Sequence, residues 1–146
     1  EKMHEARFVR EAVEVAVVRR ATESFDPWVR ERIATNIELQ RTAVAKGEPE
    51  VFRQLDGQFH IMIAKGARCD MAWTAIADMK AHMDRACNLT LKYPQAREAL
   101  LAQHEGIMAA IDARDSDGAE RIMREHLQSI LHDLPAVEAA FPDMFE

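Results

Sequence analysis

The sequence predicts an all-α fold, an antiparallel bundle of six helices with room for a short seventh in the tail. Apolar residues recur at spacings of three and four along most of the chain, and no alternating strand pattern or internal repeat stands out. Only five glycines and five prolines occur, and they act as punctuation between long segments of helical period.

Each element follows from its own signals. The first helix runs from about His4 to Thr22, with Phe8, Ala12, Val15 and Ala16 as its inner face. Asp26 reads as an N-cap with Pro27 at the first helical position, and Gly47 as the stop, which gives a second helix over Pro27 to Lys46. The third opens at Pro49 and ends near Gly66; the fourth is capped by Asp70 and reaches about Leu91, where Pro94 discourages continuation. The fifth spans about Gln95 to Arg114. A polar turn, Asp115-Ser116-Asp117-Gly118, caps the sixth, which reaches about Asp133 and leaves Pro135 to Glu146 as the tail.

At 146 residues the chain is one domain, 1–146, large enough to bury a core without crosslinks. Cys69 and Cys87 lack CxxC spacing and read as packing residues of a reducing compartment. No apolar run approaches the ~18 residues of a membrane span, and the first residues lack a signal peptide, so a cytoplasmic protein is expected. The absence of an initiator Met reads as a piece of a longer chain. The balance of 19 basic and 25 acidic residues, net −6, argues against this segment gripping nucleic acid itself.

Four polar residues sit on apolar faces. On the third helix Phe52, Asp56, Phe59, His60 and Ile63 share one face. Burying an unpaired carboxylate costs several kcal/mol, so an inward Asp56 needs a cation or strong donors. His104 lies in the stripe Leu100, Leu101, Ile107, Met108 and Ile111 of the fifth helix, and His126 lies among Ala119, Ile122, Met123 and Ile130 of the sixth. Both are eleven residues from position 115, so a hairpin turning there sets the two imidazoles level. Three imidazoles and a carboxylate suit one divalent transition metal, zinc first, with nickel, manganese or iron(II) also compatible. Taken singly, an Asp and a His at i, i+4 are an ordinary ion pair, and a core His is ordinarily just hydrogen-bonded. The joint pattern favours the metal.

Four stretches resemble a known family, the FCD ligand-binding domain of the GntR superfamily of bacterial regulators, in its metal-containing form. They are Arg10 to Glu14 with Ala16 to Ala21, Asp56-Gly57-Gln58-Phe59-His60, Gln103 to Ile111 with Asp115 and Ala119, and Met123-Arg124-Glu125-His126-Leu127. The resemblance covers nearly the whole chain. It implies that Asp56, His60, His104 and His126 are the metal ligands, in a central pocket that also takes an effector. Gln103 replaces an acid usual before the His, and Cys69-Asp70 falls where an Asn is common. The family's amino-terminal winged helix-turn-helix is absent here, and its members are usually dimers. A homodimer is therefore expected, with DNA bound through the missing domain.

A metal in such a pocket leaves positions open for a small carboxylate effector. Arg10 and Arg85, with the planar fork that suits a carboxylate, are the candidate effector contacts if they face the interior. His82, near Met79, Met83 and Ala86, is a further pocket candidate, with a partly buried structural His as the plainer reading. No catalytic residue is assigned. The alternative of a metal-dependent hydrolase or oxygenase requires a general base, and no spare inward carboxylate is found at a convincing spacing. A helical interaction module without metal is the third reading. Trp28 and Trp73 read as core or dimer-interface filling, Arg19-Arg20 and Arg30-Glu31-Arg32 as solvated faces, and His4 and His132 as exposed.

Overall fold

The computed structural model describes residues 2–132, 135, 139–140 and 142–144, and of 130–132 the backbone alone. It is all-helical: α1 (Lys2–Glu23), α2 (Pro27–Lys46), α3 (Pro49–Gly66), α4 (Asp70–Thr90), α5 (Pro94–Asp112) and α6 (Ser116–His132), with one 3₁₀ turn at Pro142–Met144. Among the described residues no strand occurs. The side chains of Ile130 and His132, and most of the tail assigned to a seventh helix, lie outside the described residues.

The punctuation behaves as its chemistry requires. The Asp26 carboxylate accepts from the Trp28 N–H at 2.9 Å, Pro27 opens α2, and Gly47 ends it at φ 66°, donating its N–H to α2 carbonyls. Asp115 accepts from the Gly118 N–H at 3.0 Å and so caps α6. Gly118 leaves room for that carboxylate, which any Cβ would strike. At Gly66 a Cβ would fall inside the Phe25 ring, which covers the end of α3. Two boundaries differ from expectation. Cys69, not Asp70, occupies the N-cap position of α4, and Asp70 lies in the first turn, where its charge suits the helix dipole. Pro94 opens α5 as well as discouraging α4, because its missing N–H needs no partner there.

The short α2–α3 and α5–α6 turns fold each pair back on itself. α1 packs chiefly on α6 and α4 and also touches α3 and α5. That central position explains why the face expected for α1 is wrong. Phe8 is 69% exposed and Ala12 and Ala16 are also exposed, whereas Arg10, Glu11 and Glu14 are buried with Val15, Val17 and Val18. The helix buries charge because polar partners on its neighbours receive it, so apolar spacing alone misplaces its inner side. The main core unites Val18, Ile33, Phe59, Ile63, Ile107, Met123 and Leu127. Each such side chain contributes roughly 1.5–3 kcal/mol by leaving water. Trp73 packs on this cluster, but Trp28 is 78% exposed and is no part of the core. Cys69 and Cys87 are free and half-buried.

Candidate metal centre

Three helices of the bundle each aim imidazoles at one point. α3 supplies Asp56 and His60 from successive turns, and the α5–α6 hairpin brings His104 and His126 together with ring centroids 4.7 Å apart. One oxygen or nitrogen from each of the four residues lies within 4.8 Å of those of the others. The Nε2 atoms of His60 and His126 are 3.1 Å apart, and Asp56 Oδ1 is 3.0 Å from His104 Nε2 and 3.6 Å from His60 Nε2. Phe59 stacks on His104 at 4.1 Å, and Phe52 lies nearly parallel to it at 6.4 Å, so an aromatic wall fixes that ring and keeps water off it.

The opposite nitrogen of every ring is occupied. His104 Nδ1 lies 2.7 Å from Gln40 Oε1, His126 Nδ1 lies 2.8 Å from Gln103 Oε1, and His60 Nδ1 is bonded to Glu14. An amide oxygen or a carboxylate can only accept, so each Nδ1 carries the proton and each Nε2 is left to face the centre. Gln103, the departure noted in the sequence, thus orients His126 of the neighbouring helix.

Charge follows from these contacts. Burial alone would raise the Glu14 carboxyl, but Arg10, whose Nε donates to it at 2.6 Å, and His60 outweigh burial and take it down to about 2. Asp56, beside the His60 ring, is likewise held well below the usual carboxylate range against the penalty of burial. Burial would lower His60, yet Glu14 and Asp56 on its two sides raise it to about 9. Burial dominates at His104 and His126 and keeps both neutral. With Arg10 offsetting Glu14, the protonated His60 offsets Asp56, and loss of that one proton leaves the group with a single negative charge.

These residues fit a divalent ion. Asp56 Oδ1 and His104 Nε2 are buried without a hydrogen-bond partner, because His104 has already given its only N–H to Gln40. Two facing acceptors in an apolar interior are costly unless a cation lies between them. Two neutral imidazoles, one that must lose its proton and an ionised carboxylate are the donors that zinc and its neighbours take. Cys87 is not among the residues whose ligand atoms converge there, and burial pushes its thiol up to about 11.

Of the proposed effector contacts, Arg10 is 2% exposed and lies inside, near Asp56. The structure does not bring in the other two. Arg85 is exposed, and His82 is exposed and lines an outer groove with Lys2, Glu5, Ala6, Val9 and Met79, because their face of α4 looks away from the histidines. The expectation of no spare inward carboxylate is corrected: Glu14 is 3% exposed and touches His60. With Arg10 at i−4 it reads in sequence as a solvated helical pair. Gln40 was overlooked as well, although Ile33, Asn36, Ile37, Gln40 and Ala43 form a buried stripe interrupted by polar residues. The rule that found His104 applies equally there.

Among curated relatives, the chain is 33% identical over 138 residues to the HTH-type transcriptional repressor RspR of Escherichia coli, covering 94% of this chain. It is 31% identical over 144 residues to an uncharacterized HTH-type transcriptional regulator in an unstable DNA locus of Streptomyces ambofaciens. In both cases it spans 60% of the relative's own length. The fold is similar to that of Escherichia coli McbR/YncC, with a TM-score of 0.79 at 17% identity over 94% of this chain and 65% of that one. Residues 5–129 match the family model described as the FCD domain, and the chain belongs to that family.

Proposed function

We propose that this domain is the effector-sensing part of a transcription regulator, in which Asp56, His60, His104 and His126 hold one divalent metal, zinc first, and the site receives a small carboxylate. The observation that carries this reading is the convergence of one carboxylate oxygen and three imidazole nitrogens whose opposite ring positions are all occupied. Bound there, the metal supplies Lewis-acid attraction for an anionic oxygen. Arg10 and Glu14 balance each other and Asp56 contributes one negative charge, so a divalent ion leaves the loaded site positive. An anion is then preferred over a neutral molecule. Asp56 offers the approach: its side chain is 19% exposed although Oδ1 is sealed, while the three imidazoles are inaccessible.

The relatives' names and their greater length support DNA binding by a helix-turn-helix domain outside this chain. The acidic balance, net −6, agrees with that division. Among the described residues no helix is long and apolar enough to cross a membrane. Signalling follows if the acid binds differently to two arrangements of α1 and its neighbours, because a ligand shifts an equilibrium only through differential affinity. Glu14 gives little support to a hydrolase, since it lies behind His60 on Nδ1 and is already held by Arg10. Calorimetric titration of zinc-loaded and metal-stripped protein with a panel of organic acids tests the proposal. Tight binding of an acid only to the loaded form is expected; equal affinity removes the metal from recognition, and turnover of a bound acid makes the site an enzyme's.

A further inference from the structure

We propose that Asn36 and Gln40 form a relay that sets which nitrogen of His104 faces the centre, and that they are positioning residues for its metal affinity. The inference rests on the metal reading and deepens it. The relay starts at the Leu55 carbonyl of α3, which can only accept. Asn36 therefore presents its amide NH₂, donating to that oxygen at 3.0 Å, and its Oδ1 is turned the other way. Gln40 Nε2 donates to that oxygen at 2.6 Å, which turns Gln40 Oε1 to His104 Nδ1 at 2.7 Å. Asn36 is 4% exposed and Gln40 and His104 are fully buried, so water cannot substitute for any member. The polarity runs one way only: a backbone acceptor at one end dictates a proton on Nδ1 and a lone pair on Nε2 at the other.

His60 and His104 differ in this respect. Glu14 accepts through either oxygen and needs no orienting partner to serve His60. Gln40, by contrast, could present its NH₂ to His104 if nothing held it, which would favour the wrong tautomer. Asn36 prevents that turn. α3 thus supplies two of the four candidate ligands and, through Leu55, the reference that orients a third on α5.

The test compares Asn36→Leu, Gln40→Leu, Gln40→Glu and the double variant Asn36→Leu/Gln40→Glu. Zinc affinity is measured by chelator competition, the His104 tautomer by long-range ¹H–¹⁵N correlation in metal-stripped protein, and folding by thermal melts of the same stripped samples. Gln40→Leu should weaken zinc binding by about 10–100-fold, as loss of an outer partner does, and allow protonation at Nε2. Asn36→Leu should give a smaller loss in the same direction. Gln40→Glu added to Asn36→Leu should restore the Nδ1–H tautomer and most of the lost affinity, because a carboxylate cannot be turned the wrong way. Folded Gln40→Leu protein with unchanged tautomer and affinity overturns the proposal, as does a double variant no better than Asn36→Leu. If Gln40→Leu does not fold, the comparison of Asn36→Leu with the double variant decides. If the wild-type protein binds no zinc, the metal reading fails, while the tautomer measurement still decides the relay.

Discussion

Arg30 and Arg10 each meet a carboxylate, the first partly open to solvent and the second sealed from it. Arg30 grips Asp112 through Nε and a terminal nitrogen, both at 2.8 Å, and joins α2 to α5 with side chains 32% and 49% exposed. Arg10 is 2% exposed and donates to a Glu14 that is equally hidden and already shared with His60. Exposed pairs of the first kind contribute about 0–1 kcal/mol. Burying charges of the second kind costs several kcal/mol each, even when they are paired. Apolar side chains would hold the same helices together at lower cost. The difference teaches that Arg10, Glu14, His60 and Asp56 are better explained by what they hold than by what they stabilise.

Removing a candidate ligand should produce the largest effect. With zinc at a hundredfold excess over its Kd, binding stabilises the folded state by about 2.7 kcal/mol, or roughly 5–10 °C in Tm for a domain of this size. His104→Ala and His126→Ala should each abolish most of that zinc-dependent increment in a calorimetric scan. The double variant should lose no more of it than either single one, because both act on one ion. A zinc-dependent loss twice that of the single variants would mean that the two histidines serve separate sites.

The buried pair should give an intermediate effect, visible in pH. Glu14 is held at about 2 against an ordinary 4.5, so its contribution is present above pH ~4.5 and lost as pH falls toward 2. His60 is raised to about 9 from 6.5, so in metal-free protein its contribution is complete below pH ~6.5 and lost as pH rises through 9. Metal-free Tm should therefore decline on both sides of that window, and Glu14→Gln should flatten both limbs. Unchanged limbs would mean that Glu14 does not set the protonation of His60. The exposed pair should matter least: Arg30→Ala should cost less than about 1 kcal/mol in urea unfolding, fade further with salt and leave zinc affinity untouched.

Much of this organisation was legible in the sequence because it is punctuated. Pro27, Pro49 and Pro94 open helices, Gly47 closes one, and the turn after Asp112 folds α5 onto α6 as the equal spacing of His104 and His126 about position 115 anticipates. Asp56, His60, His104 and His126 stood out as polar residues on apolar stripes, and the fold brings them together. Glu14 did not stand out, because the buried face of α1 is itself charged and no apolar stripe marks it. Arg85 and His82 were placed by type and neighbourhood, and their exposure depends on the rotation of α4, which the sequence does not fix. Gln40 and Asn36 carried a readable signal, but amides on a stripe draw less attention than histidines.

The most direct test is anomalous diffraction at the zinc edge from crystals of metal-stripped protein reconstituted with one equivalent of zinc. One peak per chain is expected, bonded to Asp56 Oδ1 and to Nε2 of His60, His104 and His126, with Glu14, Gln40 and Gln103 retained on the Nδ1 atoms. A chain without that peak, or zinc bound elsewhere while these four side chains keep their present contacts, would contradict the assignment.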